Sequence, residues 1–569
     1  MNIERPERHF LPENFTIDNW ETVEKYFIDL EERSIDSPSA FKRWLLDQSE
    51  LEAVLAENVA WRYIKMTINT KDEDLAKDYT FFVKEIQPKI APYAFRLNKK
   101  LSESSFKKEF KDEAYKIYFR SVDTEIRLFC ENNIPLQAEM AEKSQRFSAI
   151  SGAQSIEHDG ERMTMQKAAT LLKENDEELR KAVFEKMADR RADDVEALDE
   201  LFTELVQLRH QIAQNAGFDN YRDYKFEELG RFDYTKEDCF EFHQSIKDEI
   251  VPLMREIALA KAEKMGKEKL KPWDGDVDPD GKKPLKPFEE GQQLLQKTIA
   301  IFDNIDPYFG DCLKTMDEMG HLDLESKDGK SPGGYNYPLY EIGVPFIFMN
   351  AVGSHRDMIT MVHEGGHAIH SFLNRDLELT AFKSLPSEVA ELSSMSMELL
   401  TMDDWSVFYE DQDDLQRAKI EQLETILKIL PWVATIDEFQ HWIYTNPHHS
   451  VEERKSKWLA ILKDYGTGMT DWTGYESVQE NTWQRQLHLF EVPFYYIEYG
   501  MAQLGALAVW KKSKSDFNKT IEAYKQALSL GYTQSIPEIY KTAGITFDFS
   551  RKNISELAAF IQKELDAVR

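Results

Sequence analysis

The pentad His363-Glu364-Gly365-Gly366-His367 constrains this chain more than any other feature. On a helix, positions i and i+4 differ by about 40° around the axis, so both imidazoles point the same way and can share one metal ion. Glu364 then falls about 100° round from His363, beside such an ion rather than on it. From there a carboxylate can take a proton from an activated water. Met358, Met361, Val362, Ile369 and Phe372 recur at three-four spacing and give the helix an apolar face. Two adjacent glycines cost about 1 kcal/mol each in a helix interior, so another backbone or a substrate is expected close against them. His370 lies at i+7 from His363, on the same face, and is expected to pack or to support a ligand rather than to bind metal.

A catalytic zinc site keeps three protein ligands and leaves a position for water. The third ligand is sought on a neighbouring element. The stretch SLPSEVAELSSMSMELL, residues 384–400, reads as a second helix, with Pro386 in its first turn and Ser384 as a candidate cap. Glu388, Glu391 and Glu398 follow along it. Glu391 and Glu398 share a face seven residues apart, and Glu388 stands one turn before Glu391. Spacing leaves Glu388 and Glu391 as alternatives for the third ligand.

Elsewhere the pattern is mostly helical. Leu198, Leu201, Phe202, Leu205, Leu208 and Ile212 mark one helix face, and Gly217 marks its stop. The segment 271–288, KPWDGDVDPDGKKPLKPF, reads as a loop at a lobe boundary within 265–290. After a breaker cluster, YEIGVPFIFMN (340–350) is the best strand candidate, within a strand segment 335–350. Asp276, Asp278, Asp280 and Gly281 match the start of a calcium loop. The position that needs a bidentate Glu is Pro287, so a solvated turn is expected.

With 569 residues, 42% of them hydrophobic, the chain can build several core-sized units. A formal charge of −32 repels phosphate backbones and anionic membranes, which argues against nucleic-acid and membrane partners. Cys130, Cys239 and Cys312 are too few and too scattered for a disulfide framework, and a reducing compartment fits. The N-terminal MNIERPERHF has no apolar signal core, and no apolar run reaches the length of a membrane span. A cytoplasmic protein is expected.

Several stretches together resemble the thimet-oligopeptidase-like zinc metallopeptidases, in particular the oligoendopeptidase F and Pz-peptidase branch. They are RHQIAQNAGFDNYRDY (209–224), KPWDGDVDP, GVPFIFMN, HEGGHAIH, AELSSMSMELL and HLFEVPFYYIEYG (488–500). The resemblance covers roughly residues 200–569. It implies a mostly α, two-lobed helical metallopeptidase with a deep substrate channel and a small β-sheet near the HExxH helix. It divides the chain into an N-terminal helical region, 1–200, and a catalytic region, 201–569, with metal helices in 355–400 and a late tyrosine segment in 488–505. Its E-x-x-S-x-x-x-E pattern falls on Glu391, Ser394 and Glu398. That selects Glu391 as third ligand beside His363 and His367, on one Zn²⁺ per chain, and makes Glu398 a residue that orients a ligand. It also implies that His488, Tyr496 and Tyr499, with Tyr495 in reserve, face the scissile peptide, where phenol O–H groups can meet a developing oxyanion.

The expected function is zinc-dependent hydrolysis of internal peptide bonds in short oligopeptides, with Glu364 as general base. Mn²⁺ or Co²⁺ would suit the same N₂O donor set. The strand GVPFIFMN is expected to offer an edge to an extended peptide. Two other readings stand beside this one. A carboxypeptidase or dipeptidase on a similar scaffold needs a cation for the free C-terminus, and no Arg or Lys stands out for it. A non-catalytic peptide-binding protein with a structural metal needs a fourth protein ligand, for which His370 is the nearby candidate.

Overall fold

In a computed structural model the chain is predominantly helical, with two small sheets. The structure describes Met1 and residues 3–569. Two compact units interleave along the chain. The first takes in Met1–Arg127, Lys286–Leu415 and Gly505–Phe547; the second takes in Leu128–Leu285, Gln416–Leu504 and Asp548–Arg569.

In the second unit, β1 (Ser155–His158) and β2 (Glu161–Thr164) form an antiparallel hairpin. The helix Val195–Asn215 buries Leu198, Leu201, Phe202, Leu205 and Ile212, the face its periodicity marks, and Gly217 follows at φ +86°. The acidic segment 276–281 is a turn in which Asp278 and Asp280 already have partners. Asp278 Oδ1 accepts from the Asp280 amide (2.8 Å), Arg417 lies 3.3 Å from Asp278 Oδ2, and Lys264 pairs with Asp280 at 2.9 Å. Asp274, just upstream, is fully buried. It accepts from Arg180 (2.9 Å), Lys267 (2.7 Å) and the Lys271 amide (2.8 Å), and so ties the KPWD stretch to a helix.

In the first unit, β3 (Leu322–Glu325), β4 (Tyr335–Tyr337) and β5 (Phe346–Ala351) form a sheet in the order β3-β5-β4. β5 pairs parallel with β3 and antiparallel with β4. It buries Phe346, Ile347, Phe348 and Met349, as a strand flanked on both sides should. Residues 340–345 of the expected strand form a turn and an extended lead-in, where Gly343 takes φ +70° and Pro345 has no amide to donate. The peptide-pairing edge expected of GVPFIFMN is therefore not there: β5 is the central strand, and the free edges belong to β3 and β4.

Two helices follow the sheet. The histidine helix, His355–Asn374, starts at a capping box in which Ser354 and Asp357 bond each other's backbone N–H. The glutamate helix, Ser387–Leu400, has Pro386 as its N-cap residue, and no side chain closes the cap. Ser384, the expected cap, lies two residues too early, because Pro386 holds an extended ψ of 145° and the helix begins only after it. Among the described residues no helix is long and apolar enough to cross a membrane.

Candidate functional site

From Met361 to His370 the histidine helix is buried at every position except 363 and 367, the two that carry the paired imidazoles. The glycines between them explain the burial. A Cβ on Gly366 would sit 2.6 Å from Ser394 Cα and 3.1 Å from Ser393 O, both backbone atoms of the glutamate helix. On Gly365 it would meet the Phe302 ring at 2.7 Å. Ser393 Oγ donates to Gly366 O (2.8 Å), and Tyr524 OH donates to Ser393 O (2.8 Å), so the close approach is also hydrogen-bonded. The backbone proximity expected of the glycine pair comes from a neighbouring helix.

This contact sets the glutamate helix in register. Glu391 Oε2 lies 3.3 Å from His363 Nε2 and 3.8 Å from His367 Nε2. The imidazole planes are nearly perpendicular, at 86°, with centroids 4.9 Å apart. Zn²⁺ with N and O ligands at about 2.0–2.2 Å sets tetrahedral ligand atoms roughly 3.3–3.6 Å apart. Both carboxylate–imidazole separations match such an ion to within a few tenths of an ångström, and all three donors lie within 4.8 Å of one another. Glu388, the alternative that spacing left open, is buried outside this donor group, and its carbonyl accepts from Tyr540 OH (3.0 Å). His370 is also outside it. Its imidazole is buried and pushed down to about 3 by desolvation, a neutral packing group.

The protonation pattern suits a metal. Glu398 Oε1 accepts from His363 Nδ1 at 2.7 Å, which fixes a proton there; burial lowers His363, but Glu391 and Glu398 outweigh it and raise the imidazole well above its ordinary value, so a cation would displace the Nε2 proton. Ser394 Oγ donates to Glu391 Oε2 (3.0 Å) and orients it. Burial pushes the Glu391 carboxyl up, but His363 and His367 outweigh it and hold it down to about 2. Burial lowers His367 to about 4, so its imidazole is neutral at pH 7. Glu364 is 9% exposed, and burial pushes its carboxyl up to about 7, the range in which a group both takes and returns a proton. Its backbone carbonyl accepts from Asn336 Nδ2 on β4 (3.2 Å), which joins the sheet to the base-bearing turn. Asn336, Ser393 and Tyr524 carry no motif, and only the folded chain reveals them.

The late segment belongs to the second unit, where its members form one cluster. The His488 ring lies 4.7 Å from Tyr496, 6.0 Å from Tyr499 and 6.1 Å from Tyr495, centroid to centroid. Gln486 Nε2 donates to His488 Nδ1 (2.7 Å), and Trp432 Nε1 donates to Gln486 Oε1 (3.1 Å). An acceptor at Nδ1 puts the ring proton on Nε2. Burial lowers His488 to about 4, so this proton is carried on a neutral ring. Burial raises the Tyr496 phenol to about 12, which keeps it a donor. Phe494, fully buried just before the tyrosines, takes φ +68°. A non-glycine residue there is strained, and the Gln440 side chain (2.6 Å to its N–H) and Arg231 (on its carbonyl) hold it.

The fold and the site define a helical protein with a two-histidine, one-glutamate donor set of the HExxH type. Residues 170–558 match Peptidase family M3, and residues 10–129 match the Peptidase M3 N-terminal domain; the chain belongs to family M3. Among curated relatives, it is 24% identical over 294 residues to the plasmid-borne oligoendopeptidase F of Lactococcus lactis subsp. cremoris, covering 48% of this chain and 47% of that protein. It is 24% identical over 286 residues to oligopeptidase PepF of Bacillus subtilis, covering 49% and 41%. The chain thus spans about half the length of the curated relatives it matches. The solved structure of Pz peptidase A with an inhibitor superposes with a TM-score of 0.88 at 25% identity, over 100% of this chain and 98% of that one. The expected family and the mostly helical fold, with a small sheet beside the histidine helix, are both found.

Proposed function

We propose that this protein is a zinc-dependent endopeptidase that hydrolyses internal bonds of short oligopeptides. The observation that carries the reading is the convergence of His363 Nε2, His367 Nε2 and Glu391 Oε2 beside a buried Glu364 on the same helix. These three residues would hold one Zn²⁺, which supplies Lewis acidity towards water and the peptide carbonyl when bound. Glu364 takes the proton from the attacking water and passes it to the leaving nitrogen. Glu398 keeps the proton of His363 on Nδ1 throughout. His488, Tyr496 and Tyr499 are assigned as donors to the oxyanion, with Tyr495 in reserve; the protonation states of His488 and Tyr496 support this. The edge strand β4, linked to the catalytic helix through Asn336, replaces β5 as the strand on which an extended substrate is held.

The names of the relatives, oligoendopeptidase and oligopeptidase, support short peptides as substrates. The test is mass-spectrometric mapping of products from a mixed peptide library, with and without a chelator. Internal cleavage that is lost on chelation and restored by zinc is expected. A zinc-loaded chain that leaves every peptide uncut refutes the reading. Cleavage confined to free C-termini, and blocked by C-terminal amidation, would assign a carboxypeptidase instead.

A further inference from the structure

A second constellation of metal-binding side chains lies within the second unit. Cys239 and His243 stand four residues apart on the helix Lys236–Glu249, and Asp437 and His441 stand four apart on the helix Gln412–Thr445. That spacing turns each pair to one side of its helix, and the two pairs face each other. Asp437 Oδ2 lies 2.8 Å from His243 Nε2 and 3.2 Å from His441 Nε2. Ligand atoms of Cys239, Asp437 and His441 all lie within 4.8 Å of one another. All four residues are buried: Cys239 and Asp437 are fully enclosed, and His243 and His441 are each 4% exposed.

Three polar atoms of this cluster have no hydrogen-bond partner among the described residues: Asp437 Oδ1 and both ring nitrogens of His441. A carboxylate oxygen and an imidazole nitrogen enclosed without partners are costly, and they need an account. A carboxylate, an imidazole and a thiol form a donor set of borderline softness that suits Zn²⁺. His243 and His441 also line a cavity of about 400 Å³, through which an ion can reach the cluster.

We propose that Cys239, Asp437 and His441 form a second zinc site, in which His243 orients Asp437 through its 2.8 Å hydrogen bond. The site has three protein ligands and a fourth position left for solvent from the cavity, and it ties the helix Lys236–Glu249 to the helix Gln412–Thr445. It contains sulfur, which the His363–His367–Glu391 set lacks, so a spectroscopic probe separates the two.

The experiment uses the full chain loaded with Zn²⁺ or Co²⁺. Metal analysis of the zinc form should give two ions per chain. The cobalt form should show a thiolate-to-cobalt charge-transfer band in the near ultraviolet. Cys239→Ala should remove the band and one ion while peptide hydrolysis persists. Glu391→Ala should remove the other ion and keep the band, so failure of the catalytic reading is recorded independently. Cys239→Ser, which preserves side-chain volume, replaces Cys239→Ala if that variant does not fold. One ion per chain in excess zinc with no band in the wild type overturns the proposal, and so does a band that survives in the Cys239 variants.

Discussion

Gly366→Ala tests the contact on which the metal donors depend. On propensity alone, alanine in a helix interior stabilises by about 1 kcal/mol over glycine. The fold reverses that sign. The added Cβ would lie 2.6 Å from Ser394 Cα, a backbone atom that cannot rotate away, where ordinary contact begins near 3.4 Å. The histidine and glutamate helices must therefore part by about 0.8 Å, a forced overpacking that costs roughly 1–3 kcal/mol. The net expectation is a loss of about 0–2 kcal/mol of stability. The larger effect falls on the metal. Glu391 travels with Ser394, and ligand distances tolerate only about 0.2 Å. Zinc affinity should fall by about 10–100-fold or more, at least as much as loss of an orienting partner. Chelator competition gives the affinity, and thermal unfolding with and without zinc gives the stability. Gly365→Ala is the control, because its Cβ meets the Phe302 side chain instead and leaves the glutamate helix in place. A Gly366→Ala protein with unchanged zinc affinity would refute the claim that this approach sets the ligand geometry.

Glu364→Gln should bind zinc normally and lose turnover by about 10²–10⁴-fold, the usual share of a general base; turnover within a few fold of wild type removes the base assignment. Glu398→Ala should weaken zinc binding by about 10–100-fold, with Glu398→Gln intermediate, read by the same chelator competition. Asp274→Asn breaks a buried pair with Arg180 and should cost about 3–5 kcal/mol in denaturant unfolding with zinc affinity unaltered; a loss within error would mean the pair is dispensable. Tyr524→Phe takes the donor from a buried Ser393 carbonyl and should cost about 1–3 kcal/mol, measured the same way.

The two metal helices were legible because their signals are local: imidazoles at i and i+4, an apolar stripe, a proline before a second run. The choice between Glu388 and Glu391 was not local. Both occupy helical turns beside the first, and only the Gly366–Ser394 contact turns residue 391 into the donor group. The strand reading blurred for a related reason. An aromatic and β-branched run marks burial, but Gly343 and Pro345 shorten it, and pairing on both sides removes the edge it was expected to offer. Tyr335–Tyr337, flanked by Gly334 and Pro338 at the start of the expected segment 335–350, is an edge strand of its own rather than part of one run with β5. The Cys239–Asp437–His441 cluster joins positions far apart in the chain. Each half is a pair at helical spacing without meaning until the other half is opposite it.

The interleaving of the first unit has a consequence for biosynthesis. The histidine and glutamate helices leave the ribosome well before Gly505–Phe547, the segment that carries Tyr524 and completes their unit. A nascent chain thus presents His363, His367 and Glu391 early but lacks the hydroxyl that braces their helices, so the packing of the donor group is complete only after Gly505–Phe547 has emerged. Stalled chains of increasing length, assayed for zinc retention, would date that moment.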